Sequence, residues 1–288
     1  TYHCDLEIPS LLGNTLIGLY QRTYGRQTMR RAAKLIVSTE TYAATSRVVW
    51  RFSPEVIPNP VDFQRFRPDI DGSSVRARLN LRPEDPVVLL VARIVPHKGI
   101  EHLVEAAKHV PGAMFVVVGD GPFLPEVRRL AAEFGVEDRV RFAGKVPHRD
   151  LPAYYAACDI FVLPSVSRLE AFGIVALEAM ATAKPVVVSD IPGVREVVAD
   201  GVEGLLAEPV NPEDLAEKIR QLLGNPELRE QMGARGRQKV ETKFSIEQVA
   251  GAFERVYRDV AAKAAHASEL GSIPRAPEFA REKDDRTL

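Results

Sequence analysis

Apolar runs and mixed apolar–polar stretches alternate along most of the chain, and their spacing predicts a parallel α/β fold. Continuous apolar runs occur at 87–91, 114–118 and 160–163. Between them, stretches such as 98–109 and 123–134 place apolar residues three and four positions apart, as on one face of a helix. Apolar strands that alternate with amphipathic helices are typical of a parallel sheet covered on both faces.

The same reading extends to the rest of the sequence. It predicts further strands at 35–37, 56–57, 140–142, 185–188 and 205–206, and further helices at 41–50, 149–157, 212–223, 226–240 and 245–265. After His266 the chain becomes polar, and residues 267–288 are predicted to be a disordered tail because they lack the apolar content of a core.

The pattern also divides the chain into domains. Residues 1–62 hold one strand–helix–strand unit, too little for a whole α/β domain, and the proline-punctuated segment VIPNPVD at 56–62 marks their end. We expect them to be the C-terminal part of an N-terminal domain whose other strands precede residue 1, in a chain that is a fragment without an initiator methionine. Residues 63–243 are predicted to form a Rossmann-like domain.

Composition is that of an ordinary globular protein, with 45% apolar and 27% charged residues. A net charge of −1 gives no electrostatic case for nucleic-acid binding. Cys4 and Cys158 are far apart and lack metal-site spacing, which favours a reducing, cytoplasmic compartment over a disulfide scaffold or zinc site. No apolar run is long enough to span a membrane, and the first residues do not resemble a signal peptide.

The basic stretch 22–34 allows two readings. Cations near a helix C-terminus complement the helix dipole. Alternatively, a basic helix could rest peripherally on an anionic membrane surface, at the inner face of the membrane.

The segment SVSRLEAFGIVALEAMATAKPVVVSDIP at 165–192 carries two glutamates eight positions apart, Glu170 and Glu178. It is predicted to run from a strand end through a loop and a helix into the next strand, and ligands bind at the carboxyl ends of parallel strands. Gly173 would let backbone approach a ligand, and the first N–H groups of the helix suit a phosphate. Glu178 sits among apolar residues, where an unpaired carboxylate is costly and a ribose diol would be a fitting partner.

Two cations follow the strand at 87–91, in the loop ARIVPHKG. Arg93 and Lys98 could clamp a diphosphate there, Arg as a fork and Lys as a point charge, or they could be solvated loop cations. Gly119 and Asp120, in GDGP after the strand at 114–118, either line the site or form only a turn. The histidines show no metal-ligand spacing: His97, His102, His109 and His148 are read as surface residues, and His3, by itself, as structural or surface.

Taken together, several motifs resemble those of the retaining glycosyltransferases of the family-4 type, which have the GT-B fold. They are VIPNPVD at 56–62, ARIVPHKG at 92–99, VVGDGP at 117–122, FAGKVPHRDLPAYY at 142–155, and EAFGIVALEAMA at 170–181 preceded by ACDIFVLPS at 157–165. The resemblance runs from residue 1 to about 265. It implies that residues 1–62 belong to the acceptor-side domain, 63–243 bind the nucleotide-sugar donor, and the helix at 244–266 returns to the first domain.

The resemblance also implies roles for individual residues. Arg93 and Lys98 would bind the donor diphosphate, and Glu178 would hold the nucleotide ribose. Glu170 would line the donor site at the sugar. The backbone of residues 171–174 (Ala171, Phe172, Gly173 and Ile174) would contact the sugar and the phosphate. The backbone of Lys145 and Val146 would contact the base. His3 looks like the histidine that this family keeps beside the reacting sugar.

The implied activity is transfer of a hexose, of mannosyl or glucosyl type, from a donor such as GDP-mannose or a UDP-hexose to a saccharide or lipid-linked acceptor, with retention of configuration and without a metal or other cofactor. Two alternatives remain open. The chain lacks the Gly-rich loop and acceptor face with which the family begins, so it could be a nucleotide-sugar-binding module without transfer activity. A sugar-nucleotide epimerase of the same fold is the weaker alternative, because EAFGIVALEAMA fits the transferase pattern.

Overall fold

The computed structural model describes residues 1–3 and 11–269, and it divides the chain into two compact units. One comprises Thr1–Asn59 and the residues from Ile246 onward, and the other is Pro60–Ser245. These divisions lie a few residues from those expected from the sequence, after residues 62 and 243. That the first unit is an acceptor-side domain stays a prediction.

The helices and strands alternate as the apolar pattern predicts. The strands are β1 (Ile36–Val37), β2 (Glu55–Val56), β3 (Val87–Val91), β4 (Met114–Val118), β5 (Val140–Gly144), β6 (Ile160–Leu163), β7 (Val186–Ser189) and β8 (Gly204–Ala207). The helices are α1 (Leu11–Tyr20), α2 (Arg26–Arg31), α3 (Glu40–Thr45), α4 (Ser73–Arg78), α5 (Ile100–Ala106), α6 (Leu124–Glu133), α7 (Leu151–Ala157), α8 (Ile174–Ala181), α9 (Val194–Val197), α10 (Pro212–Leu223), α11 (Pro226–Lys243) and α12 (Ile246–Glu269).

The unit Pro60–Ser245 contains a six-stranded parallel sheet in the order β5-β4-β3-β6-β7-β8. The chain builds outward from β3 to β5 and then returns to the other side of β3, where β6, β7 and β8 follow. The strand order therefore reverses between β3 and β6. The expected parallel sheet of a Rossmann-like α/β domain is confirmed.

Helices cover both faces of this sheet, which explains the continuous apolar strands. In β3, Val87, Leu89 and Val91 belong to one core cluster, and Val88 and Leu90 belong to the other. All five side chains are buried, and burial of such a side chain contributes roughly 1.5–3 kcal/mol. An alternating apolar–polar strand could not fill both clusters.

The other unit contains β1 and β2, which pair in parallel. Ile36 and Ile57 pack against Val249 and Val256 of α12 in a separate small core. The N–H of Tyr2 donates to the carbonyl of Ile36 over 2.8 Å, so residues 1–3 run alongside β1.

Several boundaries differ from those predicted. Helix α5 begins at Ile100 rather than residue 98, because a 3-10 turn, Pro96–Lys98, ends at Gly99 in the left-handed conformation. The helix predicted at 41–50 ends at Thr45, and α4 and α9, both short, were not predicted. Helix α12 continues to Glu269; the rest of the predicted tail, 270–288, lies outside the described residues.

Two further sequence features can be placed. Cys158 is a buried free thiol, whereas Cys4 lies outside the described residues. Within residues 1–3 and 11–269, none of the helices combines the length and the apolar character that crossing a bilayer requires.

Gly119 offers a test of how the strand-to-helix loops pack. A Cβ atom there would lie 1.8 Å from the carbonyl oxygen of Ala92, at a φ of +138°. We expect Gly119→Ala to lower the free energy of unfolding by more than ~2 kcal/mol, because backbone cannot move aside cheaply. Urea denaturation measures this.

Gly112→Ala is the matched control. Gly112 also has a positive φ, +84°, but no atom lies within 4 Å of the place that a Cβ would take. Its substitution should cost about 1–2 kcal/mol, for the left-handed conformation alone. Equal losses in the two variants would contradict the packing argument.

Candidate functional site

The reversal of strand order between β3 and β6 defines where a ligand would bind. In open α/β sheets, ligands occupy the crevice outside the carboxyl ends of the strands at such a point. The loop after β3 carries Arg93 and Lys98, and the loop after β6 carries Glu170 and leads into α8. Because β3 and β6 are hydrogen-bonded neighbours, both loops leave the sheet at the same edge.

These two loops pack directly on each other. The N–H of Val166 donates to the carbonyl of His97 over 3.0 Å. A Cβ atom at Gly99 would lie 2.0 Å from the carbonyl oxygen of Pro164, so only glycine fits this contact. The short loops are therefore held at a fixed separation, and Lys98 is placed immediately before the contact.

The packing brings Lys98 and Glu170 together. Their side chains form an ion pair, and the Ser165 hydroxyl donates to the same carboxylate oxygen of Glu170 over 3.1 Å. Glu170 is only 8% exposed, whereas a glutamate in a loop is usually solvated. A buried carboxylate needs such partners to offset its lost hydration.

Arg93 does not join this cluster. Its side chain is exposed, and within the described part of the chain it takes part in no hydrogen bond or ion pair. The two cations predicted to act together therefore differ: Lys98 is held by Glu170, and the Arg93 guanidinium is exposed to solvent.

The start of α8 has the features of an anion site. Gly173 adopts a φ of +83°, and no side chain caps the helix, so its first N–H groups are left for another acceptor. The Phe172 ring is buried, 6.0 Å from Phe244, and Ile174 is exposed. Any contact between residues 171–173 and a polar ligand would therefore be made by backbone.

Glu178 lies in the second turn of α8 and is 6% exposed. Its Oε2 accepts a hydrogen bond of 2.6 Å from the Tyr155 hydroxyl, and its Oε1 lies 3.3 Å from Nε2 of His148. Burial raises the pKa of Glu178, and hydrogen bonds from Tyr155 and His148 oppose that rise. The carboxylate is thus paired, not alone in an apolar setting.

The sequence reading missed the role of His148. Its side chain is 61% exposed, as a surface residue should be, yet it contacts the buried Glu178. Glu178 and Tyr155 lie on different helices, and no spacing along the chain reveals their contact. The available signal was that His148 and Tyr155 both lie in the motif FAGKVPHRDLPAYY.

The remaining predicted residues are placed as follows. Gly119 lets the loops after β3 and β4 pack closely, and Asp120 accepts a hydrogen bond from the N–H of Gly121. That they line the donor site stays a prediction. Lys145 is exposed and Val146 half-buried after β5.

His3 is exposed and belongs to the other unit. Within residues 1–3 and 11–269, no three His, Cys, Asp or Glu side chains are grouped as metal ligands would be.

The raised pKa of Glu178 predicts a pH dependence of stability. The folded state holds this proton more tightly than the unfolded state, so the stabilisation is complete below the ordinary value of 4.5 and is lost as pH rises through the folded pKa. Relative to Glu178→Gln, the wild type should therefore lose stability across that window, and the variant should be at least as stable at pH 7. Urea denaturation from pH 4 to 8 measures both.

Glu230→Gln, at an exposed position of α11, serves as the control and should follow the wild type. A Glu178→Gln variant destabilised by the same amount at every pH would show that the carboxylate carries no burial cost.

Comparison with known proteins gives the family. The family model of the group 1 glycosyl transferases matches residues 73–239, more than half of the chain. The GDP-mannose-dependent alpha-(1-6)-phosphatidylinositol monomannoside mannosyltransferase of Mycobacterium tuberculosis is 37% identical over 211 residues, which cover 68% of this chain and 54% of that protein. The chain spans about half the length of such curated relatives.

Solved structures agree. Sucrose-phosphate synthase from Thermosynechococcus elongatus matches with a TM-score of 0.77 at 30% identity, over 89% of this chain and 65% of the other. Anabaena HepE in complex with UDP matches with a TM-score of 0.74 at 25% identity, over 90% of this chain and 71% of the other. The chain therefore belongs to the group 1 glycosyl transferases, and its fold is that of the GT-B enzymes.

Proposed function

We propose that this chain contributes the donor-binding half of a retaining hexosyltransferase that uses a nucleotide sugar. The observation that carries the proposal is the pairing of Lys98 with the buried Glu170 beside the uncapped start of α8, at the edge where the strand order reverses. A cation, a helix start and a carboxylate in one crevice suit a phosphate joined to a hydroxyl-rich sugar.

The chemistry follows from where charge develops. When the nucleoside diphosphate leaves, negative charge builds on its terminal phosphate, and preorganised donors lower the barrier most effectively there. Lys98 would supply a positive charge already fixed in the crevice, the N–H groups at the start of α8 would supply hydrogen bonds, and the exposed Arg93 would close on the diphosphate. No metal is needed in this scheme.

Glu170 would orient the hydroxyl groups of the donor sugar. Its carboxylate is neutralised by Lys98 and accepts a hydrogen bond from Ser165, which suits hydrogen bonding better than nucleophilic attack. We infer a same-face displacement in which the leaving phosphate oxygen helps to deprotonate the acceptor hydroxyl.

The proposal extends to the base of the donor nucleotide and to the acceptor. One relative is named for GDP-mannose and another was solved with UDP, so either base remains a candidate, to be met by the backbone of Lys145 and Val146. The acceptor would be a saccharide or lipid-linked. A peripheral membrane contact is supported by the segment 11–34, which has five basic residues and no acidic one: Arg22, Arg26, Arg30, Arg31 and Lys34.

The second candidate is a module that binds the nucleotide sugar and transfers nothing. It is favoured by the location of Lys98, Glu170 and Glu178, which all lie within the unit Pro60–Ser245. Incubation with GDP-mannose or UDP-glucose, with and without acceptor, separates the candidates, because only an enzyme yields a glycosylated product. The anomeric proton signal of that product reports retention.

The clamp is tested by Arg93→Ala and Lys98→Ala in an active, transfer-competent form of the protein. Each should lower turnover by on the order of 10²-fold or more, the effect of removing one donor to the transition state. Initial rates of nucleotide release measure it. Arg149→Ala, also at an exposed position, should leave the rate unchanged; near-wild-type rates in both clamp variants would refute the assignment.

A further inference from the structure

The carboxylate of Glu178 is held by side chains that precede it by more than twenty positions. Tyr155 lies in α7 and is fully buried, whereas His148 lies in the 3-10 turn His148–Asp150 that leads into α7. Each donor reaches a different oxygen of Glu178, the Tyr155 hydroxyl Oε2 and the His148 ring Oε1. The carboxylate plane is therefore fixed from one side of α8.

One aromatic ring supports both donors. Phe66 packs edge-on against the rings of His148, with centroids 5.8 Å apart, and of Tyr155, at 5.6 Å. Arg65, whose guanidinium lies 5.6 Å above the Phe66 ring, adds a positive charge that favours the ionised form of Glu178. His148, Arg65 and Tyr155 are thus the titratable groups that act on this carboxylate.

This arrangement leaves hydrogen-bond acceptor positions of Glu178 for a ligand. An ionised carboxylate offers about four acceptor positions, and the two protein donors occupy one on each oxygen. A diol with two O–H groups could therefore bind without displacing either. Burial holds the pKa of Tyr155 well above its ordinary range, so its hydroxyl remains a donor under working conditions.

We propose that Tyr155 is a positioning residue for the ribose of the donor nucleotide, acting through Glu178, and that His148 assists it from the solvent side. The inference rests on the proposed function, because it takes Glu178 to be the ribose contact. Tyr155 would not touch the nucleotide. By donating to Oε2 it would hold the carboxylate group at the tilt that a ribose diol requires.

The test compares ribonucleotides with 2′-deoxyribonucleotides. A hydroxyl donating to a charged carboxylate contributes on the order of 10- to 100-fold in affinity, so the wild-type chain should bind UDP, or GDP, more tightly than dUDP, or dGDP, by about that ratio. In Tyr155→Phe the misplaced carboxylate should shrink this ratio about tenfold. Calorimetric titration of the 288-residue chain gives both dissociation constants.

Tyr154→Phe is the matched control. Tyr154 is the adjacent residue of α7, is also buried, and its hydroxyl also takes part in a hydrogen bond, from Arg78 over 3.0 Å. It does not contact Glu178. Its substitution should leave the ribose-to-deoxyribose ratio at the wild-type value, even if stability falls. If Tyr155 served only folding, Tyr155→Phe would weaken the binding of the ribonucleotide and of the deoxyribonucleotide equally, and the ratio of their affinities would not change.

A second signature is the pH at which nucleotide affinity falls. The Tyr155 hydrogen bond lowers the pKa of Glu178, so Tyr155→Phe should move the loss of affinity to higher pH. His148→Gln, at an exposed position, should move it in the same direction but less, because its contact is longer. If Tyr155→Phe does not fold, the His148→Gln variant still tests the network, with a ratio reduced a few-fold.

The outcomes separate the two levels of the argument. A wild-type chain that does not prefer the ribonucleotide, or a preference that survives Glu178→Ala, contradicts the ribose role of Glu178 and the inference with it. A preference that depends on Glu178 but is unchanged in Tyr155→Phe and His148→Gln overturns the inference alone. A ribose-to-deoxyribose ratio that is reduced in Tyr155→Phe but keeps the wild-type value in Tyr154→Phe supports the inference.

Discussion

The loops after β3 and β6 meet backbone to backbone, with no room for a side chain at Gly99. That contact depends on the strand order, because β3 and β6 become neighbours only where the sheet reverses. It places Lys98 beside Glu170, in the loop that leads into α8. The chemistry of the crevice is therefore a consequence of sheet topology and of glycine at one position.

Burying the carboxylates of this site costs free energy, because they lose their hydration. Glu170 and Glu178 are both nearly inaccessible to solvent, and each is provided with two polar partners. The partners differ in kind. Glu170 is neutralised by a cation, whereas Glu178 is held mainly by the neutral hydroxyl of Tyr155 and has a raised pKa. Retaining a carboxylate at such a position is characteristic of a functional site rather than of a core optimised for stability.

Much of this could be predicted from the sequence. Strands β3, β4 and β6 and helix α10 have the predicted bounds, because apolar runs buried on both faces leave little ambiguity. The short helices α4 and α9 were missed, since six and four residues show no periodicity. For Lys98 and Glu170, the sequence could predict that both lie at the carboxyl ends of strands, but not that their side chains form an ion pair.

The contacts of Glu178 were beyond sequence reasoning. Tyr155 precedes it by 23 positions and His148 by 30. These separations are too long for the periodicity of a single helix or strand to predict a contact. They meet because α7 and α8 pack on the same face of the sheet. His148 shows the limit most clearly, because its exposure and its lack of metal-ligand spacing are those of an ordinary surface histidine.

The central claim, that the crevice binds a nucleoside diphosphate, is tested most directly by calorimetric titration of this chain with UDP and with GDP, each with and without Mg²⁺. The account predicts saturable binding of one nucleotide that does not require the metal and is lost in Glu178→Ala. A folded protein, shown by its far-UV circular dichroism, that binds neither nucleotide would contradict it.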